Sequence, residues 1–130
     1  MRDRLGRVAI VAGCVALLLA GACARKDIRK VASEMTGGGD ADAGKVSMAR
    51  RTCNACHKIP GVESSRATGG PTLEHWTQHQ LIAKRYPNTP ENLIHWIQDP
   101  RAMVDTTYMP SMGVSEKEAR DIAAYLYTLE

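Results

Sequence analysis

Cys53-Asn54-Ala55-Cys56-His57 decides the reading of this chain. Two thiols separated by two residues and followed at once by an imidazole are the spacing of a covalent c-type haem attachment site. Each thiol can form a thioether with one vinyl group of the porphyrin. The next residue then hangs beneath the ring, where His57 can take an axial position on the iron. Two other chemistries share the C-x-x-C pattern. A thioredoxin-like dithiol needs a βαβ context, whereas the sequence that follows reads as loops and helices. A structural zinc site needs a second Cys or His pair at ligand spacing, and the remaining cysteines, Cys14 and Cys23, lie in an N-terminal apolar segment.

That segment reads as an address. Arg2, Arg4 and Arg7 form a positive n-region, Val8 to Leu19 is an apolar run, and Ala20-Gly21-Ala22 supplies small residues for cleavage. The run is short for a membrane span. Residues 1–22 are therefore expected to be a signal peptide, with two modes of processing. Leu19-Ala20-Gly21-Ala22-Cys23 looks like a bacterial lipobox, although Ala20 stands where Leu is commonest, and Cys23 would become the lipidated first residue. Ordinary cleavage after Ala22 would leave Cys23 as a free thiol, a liability in an exported protein. Lipidation of Cys23 is the favoured expectation. It places the protein in the periplasm or on the outer face of the bacterial cytoplasmic membrane, held by a lipid anchor. Val11-Ala12-Gly13-Cys14 also fits a lipobox locally, but too little apolar chain precedes it, so Cys14 is expected to be discarded.

The leader carries three arginines and one acid, so its removal lowers the formal charge from +3 to about +1. Two haem propionates would carry it slightly negative. The basic balance thus argues for no nucleic-acid partner, and Lys45, Lys58, Lys84 and Arg85, which could form a docking collar, read rather as a generic solvated surface. What remains is enough for one small domain. Residues 23–39 read as a flexible tether ending in Thr36-Gly37-Gly38-Gly39, with a soft reach of ~20–25 Å and only a weak helical signal in Ile28, Val31 and Met35.

The domain is expected over residues 40–130. Asp40 or Asp42 can cap a helix running toward Cys53, on which Gly44 marks a close contact and Met48 is core. Residues 58–88 carry Pro60, Gly61, Gly69, Gly70, Pro71 and Pro87 and predict a long loop. Thr89-Pro90-Glu91 starts a helix, Thr as N-cap and Pro at its first position, with Leu93, Ile94, Trp96 and Ile97 apolar and Asp99-Pro100 as its stop. Ser115-Glu116-Lys117-Glu118 is a capping box that opens a last helix with Ile122, Ala123, Leu126 and Leu129 on its apolar side. The expected fold is all-α, three main helices plus loops wrapped around one covalently bound haem. The domain contains no Phe, so a porphyrin would supply much of the missing core.

The second axial ligand separates electron transfer from chemistry at the iron. Met48, Met103, Met109 and Met112 are available; Met109, in Tyr108-Met109-Pro110, is the choice, because proline stiffens an irregular approach. Met103 and Met112 read as pocket lining or surface, and His75, His79 and His95 as exposed side chains rather than ligands.

Over residues 40–130 the chain resembles the class I c-type cytochromes. Gly39 to Lys45 looks like the family's first helix, Gly70-Pro71-Thr72-Leu73 is similar to its G-P-x-L, Tyr108 to Met112 to its distal Met-Pro loop, and Ala119 to Leu126 to its C-terminal helix. The resemblance implies that Pro71 accepts a hydrogen bond from His57 and orients it, and that Tyr125 packs on Gly44 where the end helices cross. It also implies a single-electron carrier, not an enzyme, with one haem c, held by Cys53 and Cys56 and ligated by His57 and Met109. Pro87 to Leu93, with Trp96-Ile97 and Asp99-Pro100, resembles cytochrome c modules associated with haem-copper terminal oxidases. The implied partners are redox proteins, a terminal oxidase or another respiratory complex, with no small-molecule substrate. His75-Trp76 departs from the glycine-rich turn of the family. Trp96 reads equally as a propionate donor or as core. A haem enzyme or ligand sensor, such as a peroxide-reducing subunit with a labile distal Met, is the alternative reading.

Overall fold

Two capped helices meet at a glycine, and the rest of the chain is arranged on that meeting. The computed structural model describes residues 27–63 and 67–130. Helix α1 covers 27–35 and is followed by α2 (Ala41–Arg50), a 3-10 turn at Cys53–Ala55, another at Trp76–Gln78, strands β1 (Leu81–Ile82) and β2 (Tyr86–Pro87), α3 (Pro90–Gln98), α4 (Pro100–Met103) and α5 (Glu116–Leu126). The fold is all-α, with β1 and β2 forming a minimal antiparallel hairpin that pairs Leu81 with Pro87 and Ile82 with Tyr86.

The local signals account for the helix starts. Asp40 caps α2 by accepting from the Asp42 and Ala43 N–H groups. Thr89 caps α3 with Pro90 in its first turn. Asp99 both ends α3 and, through its side chain, caps the short α4, so the expected stop is a corner rather than a terminus. Ser115 and Glu118 form the reciprocal capping box of α5.

α2 and α5 cross with almost no space between them. A Cβ on Gly44 would collide with the Asp121 carbonyl and press on the Ile122 backbone nitrogen. The resemblance implies Tyr125 at this crossing, and Tyr125 is a buried residue of α5 one turn beyond Asp121. Gly44 faces the Asp121–Ile122 backbone, while the Tyr125 hydroxyl donates to the Pro60 carbonyl and holds the chain just beyond His57. Met48, Ala119, Ile122, Ala123 and Leu126 fill the crossing as buried core, joined by Leu93 and Ile97 from α3 and by Trp76. Asn88 secures the intervening loop by donating to the Trp76 and His79 carbonyls and accepting from the Tyr127 hydroxyl. Burial pushes that Tyr127 phenol up to about 12.

The expected flexible tether over 23–39 is not what residues 27–39 form. Residues 27–35 are helical, and Ala32 and Thr36 are each only 1% exposed. Arg120 donates to the Thr36 carbonyl, Arg29 pairs with Asp42, and the buried Asp121 carboxylate accepts from the Asp40 N–H at 2.9 Å. The segment is therefore docked against α2 and α5. The Gly-rich run serves as the tight turn between α1 and α2: Gly39 lies so close to the Arg120 carbonyl that a Cβ would collide with it. Among the described residues no helix is long and apolar enough to cross a membrane. The proposed leader and Cys23 lie outside the described residues.

Two outcomes follow from this frame. Gly44→Ala forces the crossing apart and is expected to cost ~1–3 kcal/mol, read from the denaturation midpoint of the holoprotein. The Arg51 guanidinium beside Glu118 lowers that carboxyl from its ordinary 4.5 to about 2. A depressed carboxyl stabilises the fold above its unfolded value and ceases to do so as the pH falls through its folded value. Glu118→Gln should therefore lower stability near pH 6, with the gap from the wild type closing between about pH 4.5 and about 2; a gap constant with pH would contradict this.

Candidate functional site

The end of α2 and the loop after it build the proximal side. Arg51 ends the helix, and Thr52 turns left-handed at φ 55°, an unusual conformation for a β-branched residue that costs on the order of 1–3 kcal/mol. That turn reverses the chain into Cys53–Ala55. The Ala55 N–H then donates to the Thr52 carbonyl, and the Cys56 and His57 N–H groups converge on the Cys53 carbonyl at 3.2 and 2.9 Å. The five motif residues are thereby wound into one compact turn.

Residues 67–74 zip onto that turn. The Thr68, Gly70 and Leu73 N–H groups donate to the Ala55, Cys56 and Lys58 carbonyls. Lys58 pairs with Glu74 at 2.9 Å and lowers that carboxyl below its ordinary value, so Lys58 is partly committed inside the fold rather than left to a docking collar. His57 Nδ1 lies 2.8 Å from the Pro71 carbonyl. A carbonyl only accepts, so Nδ1 carries the proton and Nε2 of the neutral ring keeps its lone pair for a metal. A Cβ on Gly70 would stand 2.7 Å from both Cε1 and Nδ1 of the same ring, so only glycine lets the loop lie flat against it. The imidazole is thus fixed in orientation and tautomer before any ligand is considered.

Both thiols are free, Cys53 partly buried and Cys56 exposed. Burial pushes the Cys53 thiol up, so it is held neutral at ordinary pH. Two thiols and an imidazole with a free Nε2, wound into one turn, fit a covalently held haem c. Among the described residues no three His, Cys, Asp or Glu side chains are grouped to hold a metal ion on their own.

Met109, the expected second ligand, is half-buried in an irregular run from Val104 to Ser115, its N–H donating to Thr107 Oγ1. Tyr108 beside it is fully exposed. Met48 is core at 2% exposure, Met112 packs on the core from its edge, and the Met103 carbonyl accepts from the Tyr86 hydroxyl. Of the histidines, His75 Nδ1 lies 2.6 Å from the main-chain oxygen of Glu130, and His79 bonds the Glu74 carbonyl and stacks on Trp76, while His95 is exposed on α3. Trp96 is half-buried against the core. The sequence reading includes Gly70 in G-P-x-L but does not show that its missing Cβ is what admits the His57 ring.

The cytochrome c family model matches residues 41–130, which takes in the crossing helices, the Cys53–His57 turn and the distal loop. The chain belongs to the cytochrome c family. Among its relatives, this cytochrome is 35% identical over 102 residues to the cytochrome c-type cyt cy of Rhodobacter capsulatus, across 70% of this chain and 50% of that protein. It is 31% identical over 100 residues to cytochrome c-552 of Bradyrhizobium diazoefficiens, across 76% of this chain and 86% of the relative. It therefore spans about half the length of the first of these proteins. No solved structure matches it. α1 lies before the segment that the family model matches.

Gly70→Ala in the holoprotein is expected to tilt the His57 ring away from Pro71. The check is the hyperfine-shifted proton spectrum of the ferric state, in which the His57 ring signals should move; an unchanged pattern would show that the loop yields instead of the ring.

Proposed function

We propose that this cytochrome is a single-electron carrier with one haem c, attached through thioethers from Cys53 and Cys56 and ligated axially by His57 and Met109. The observation that carries the reading is His57: it follows the second cysteine directly, and its Nδ1 is committed to Pro71 so that Nε2 faces no competing proton. When bound, the haem supplies the one-electron ferric/ferrous couple, and His/Met ligation raises its potential.

The chain's own residues do the rest. Cys53 and Cys56 keep the cofactor from dissociating outside the cytoplasm. Pro71 and Gly70 hold the imidazole so that little rearranges between oxidation states. Met109, approached through Pro110, closes the distal side and leaves no open position for a substrate. No side chain needs to act as acid, base or nucleophile.

Redox proteins are the proposed partners. The Pro87–Leu93 and Trp96–Pro100 stretches support an oxidase-linked donor role within a bacterial respiratory chain. The leader features and Cys23 support export to the periplasmic side and attachment through a lipid on Cys23.

Met109→Ala tests the distal assignment. The variant should lose the weak far-red band of sulfur-ligated ferric haem and bind carbon monoxide in the ferrous state. Retention of the band would refute Met109 as ligand. His57→Ala should yield no stable low-spin holoprotein.

A further inference from the structure

The distal loop is held by apolar burial at Val114 and Met112, but it has few polar attachments of its own. Between Met109 and the start of α5, the described hydrogen bonds that fix it to another segment are a long one, Ser111 Oγ to the Gln98 carbonyl at 3.4 Å, and a charged one from Arg51 Nη1 to the Met112 carbonyl at 3.2 Å. Arg51 is not free to wander. Its Nη2 donates to Glu118 Oε2 at 2.7 Å and its Nε to Oε1 at 3.3 Å, so a planar fork is fastened to a carboxylate that the α5 capping box already holds. The guanidinium thus joins three segments: the residue two before Cys53, the first turn of α5, and the loop three residues after Met109.

We propose that Arg51 is the positioning residue that keeps Met109 on the iron, the Arg51–Glu118 pair pinning the Met112 carbonyl and so limiting how often the distal loop lifts to admit a small anion. The proposal rests on Met109 being the axial ligand. A ligand such as cyanide enters the ferric iron only after the thioether leaves, an exchange in which one donor replaces another and no electron moves. The rate of entry therefore counts loop openings. Loss of one charge-assisted hydrogen bond that holds the closed loop should raise the open population about tenfold.

Arg50 provides the control. Its Nη2 also reaches Glu118, at 3.1 Å, but it has no bond to the loop. A role exercised only through the stability of α5 would make the two arginines equivalent; a pin on Met112 would not.

The experiment compares cyanide association with ferric holoprotein for wild type, Arg51→Met and Arg50→Met, alongside the temperature at which the far-red sulfur band is lost. The expected result is association about tenfold faster and earlier loss of the band in Arg51→Met, with Arg50→Met unchanged. Wild-type behaviour of Arg51→Met overturns the proposal, as does an equal acceleration in both variants. Absence of the band in the wild type overturns the Met109 assignment first and this inference with it. If Arg51→Met does not mature, Arg51→Lys carries the same comparison, since one ammonium cannot hold both Glu118 and the Met112 carbonyl in the geometry of the fork.

Discussion

Everything in this domain depends on the near-contact of two backbones at Gly44. α2 delivers the chain to the haem-attachment turn, and α5 follows directly on the distal loop, so the angle at which these helices cross sets one side of the site against the other. The crossing is fastened at both ends. Asp121 holds the Asp40 N–H at the start of α2, and Glu118 holds Arg51 at its finish. The pair is therefore clamped on each side of the glycine, and neither helix can slide without breaking a charged contact.

The proximal side follows from that frame by short-range means. A strained Thr52 reverses the chain, three backbone bonds lay residues 67–73 along the motif, and a glycine lets them lie against the imidazole. The distal side is built differently. Its irregular run is stiffened by Pro110 and fastened at few points, one of them a charged side chain from the opposite face of the site. If Met109 is the second ligand, as proposed, the contrast suits a centre in which the imidazole is immobile and the sulfur is able to leave.

Much of this was legible in the sequence because its signals are local. Asp40, Thr89-Pro90 and Ser115–Glu118 act within three or four residues of themselves, and each cap stands where it was expected. The G-P-x-L stretch likewise lies against His57. The long-range partners were not legible. The Tyr125 hydroxyl bonds the Pro60 carbonyl, 65 positions away, a partner that no periodicity encodes. Residues 27–39 read as a spacer because the buried side chains of α1 and the turn after it are Ala32 and Thr36, too small to write a hydrophobic stripe, while the larger Val31 and Met35 are about half exposed. Arg51 carried no mark at all, since its partners lie more than sixty positions away.

The docking of α1 alters how such a protein would meet its partners. With Cys23 as the proposed point of attachment, the docking of residues 27–39 against α2 and α5 would leave less free chain between lipid and domain than a tether running to Asp40. A tether running to Asp40 would instead let the domain tumble through a hemisphere and present every face in turn. A domain anchored in that way would keep a narrower range of tilts than one on a long tether. Its encounters would be a search in two dimensions, with part of the orientation cost of docking already met for any partner in the same sheet of lipid.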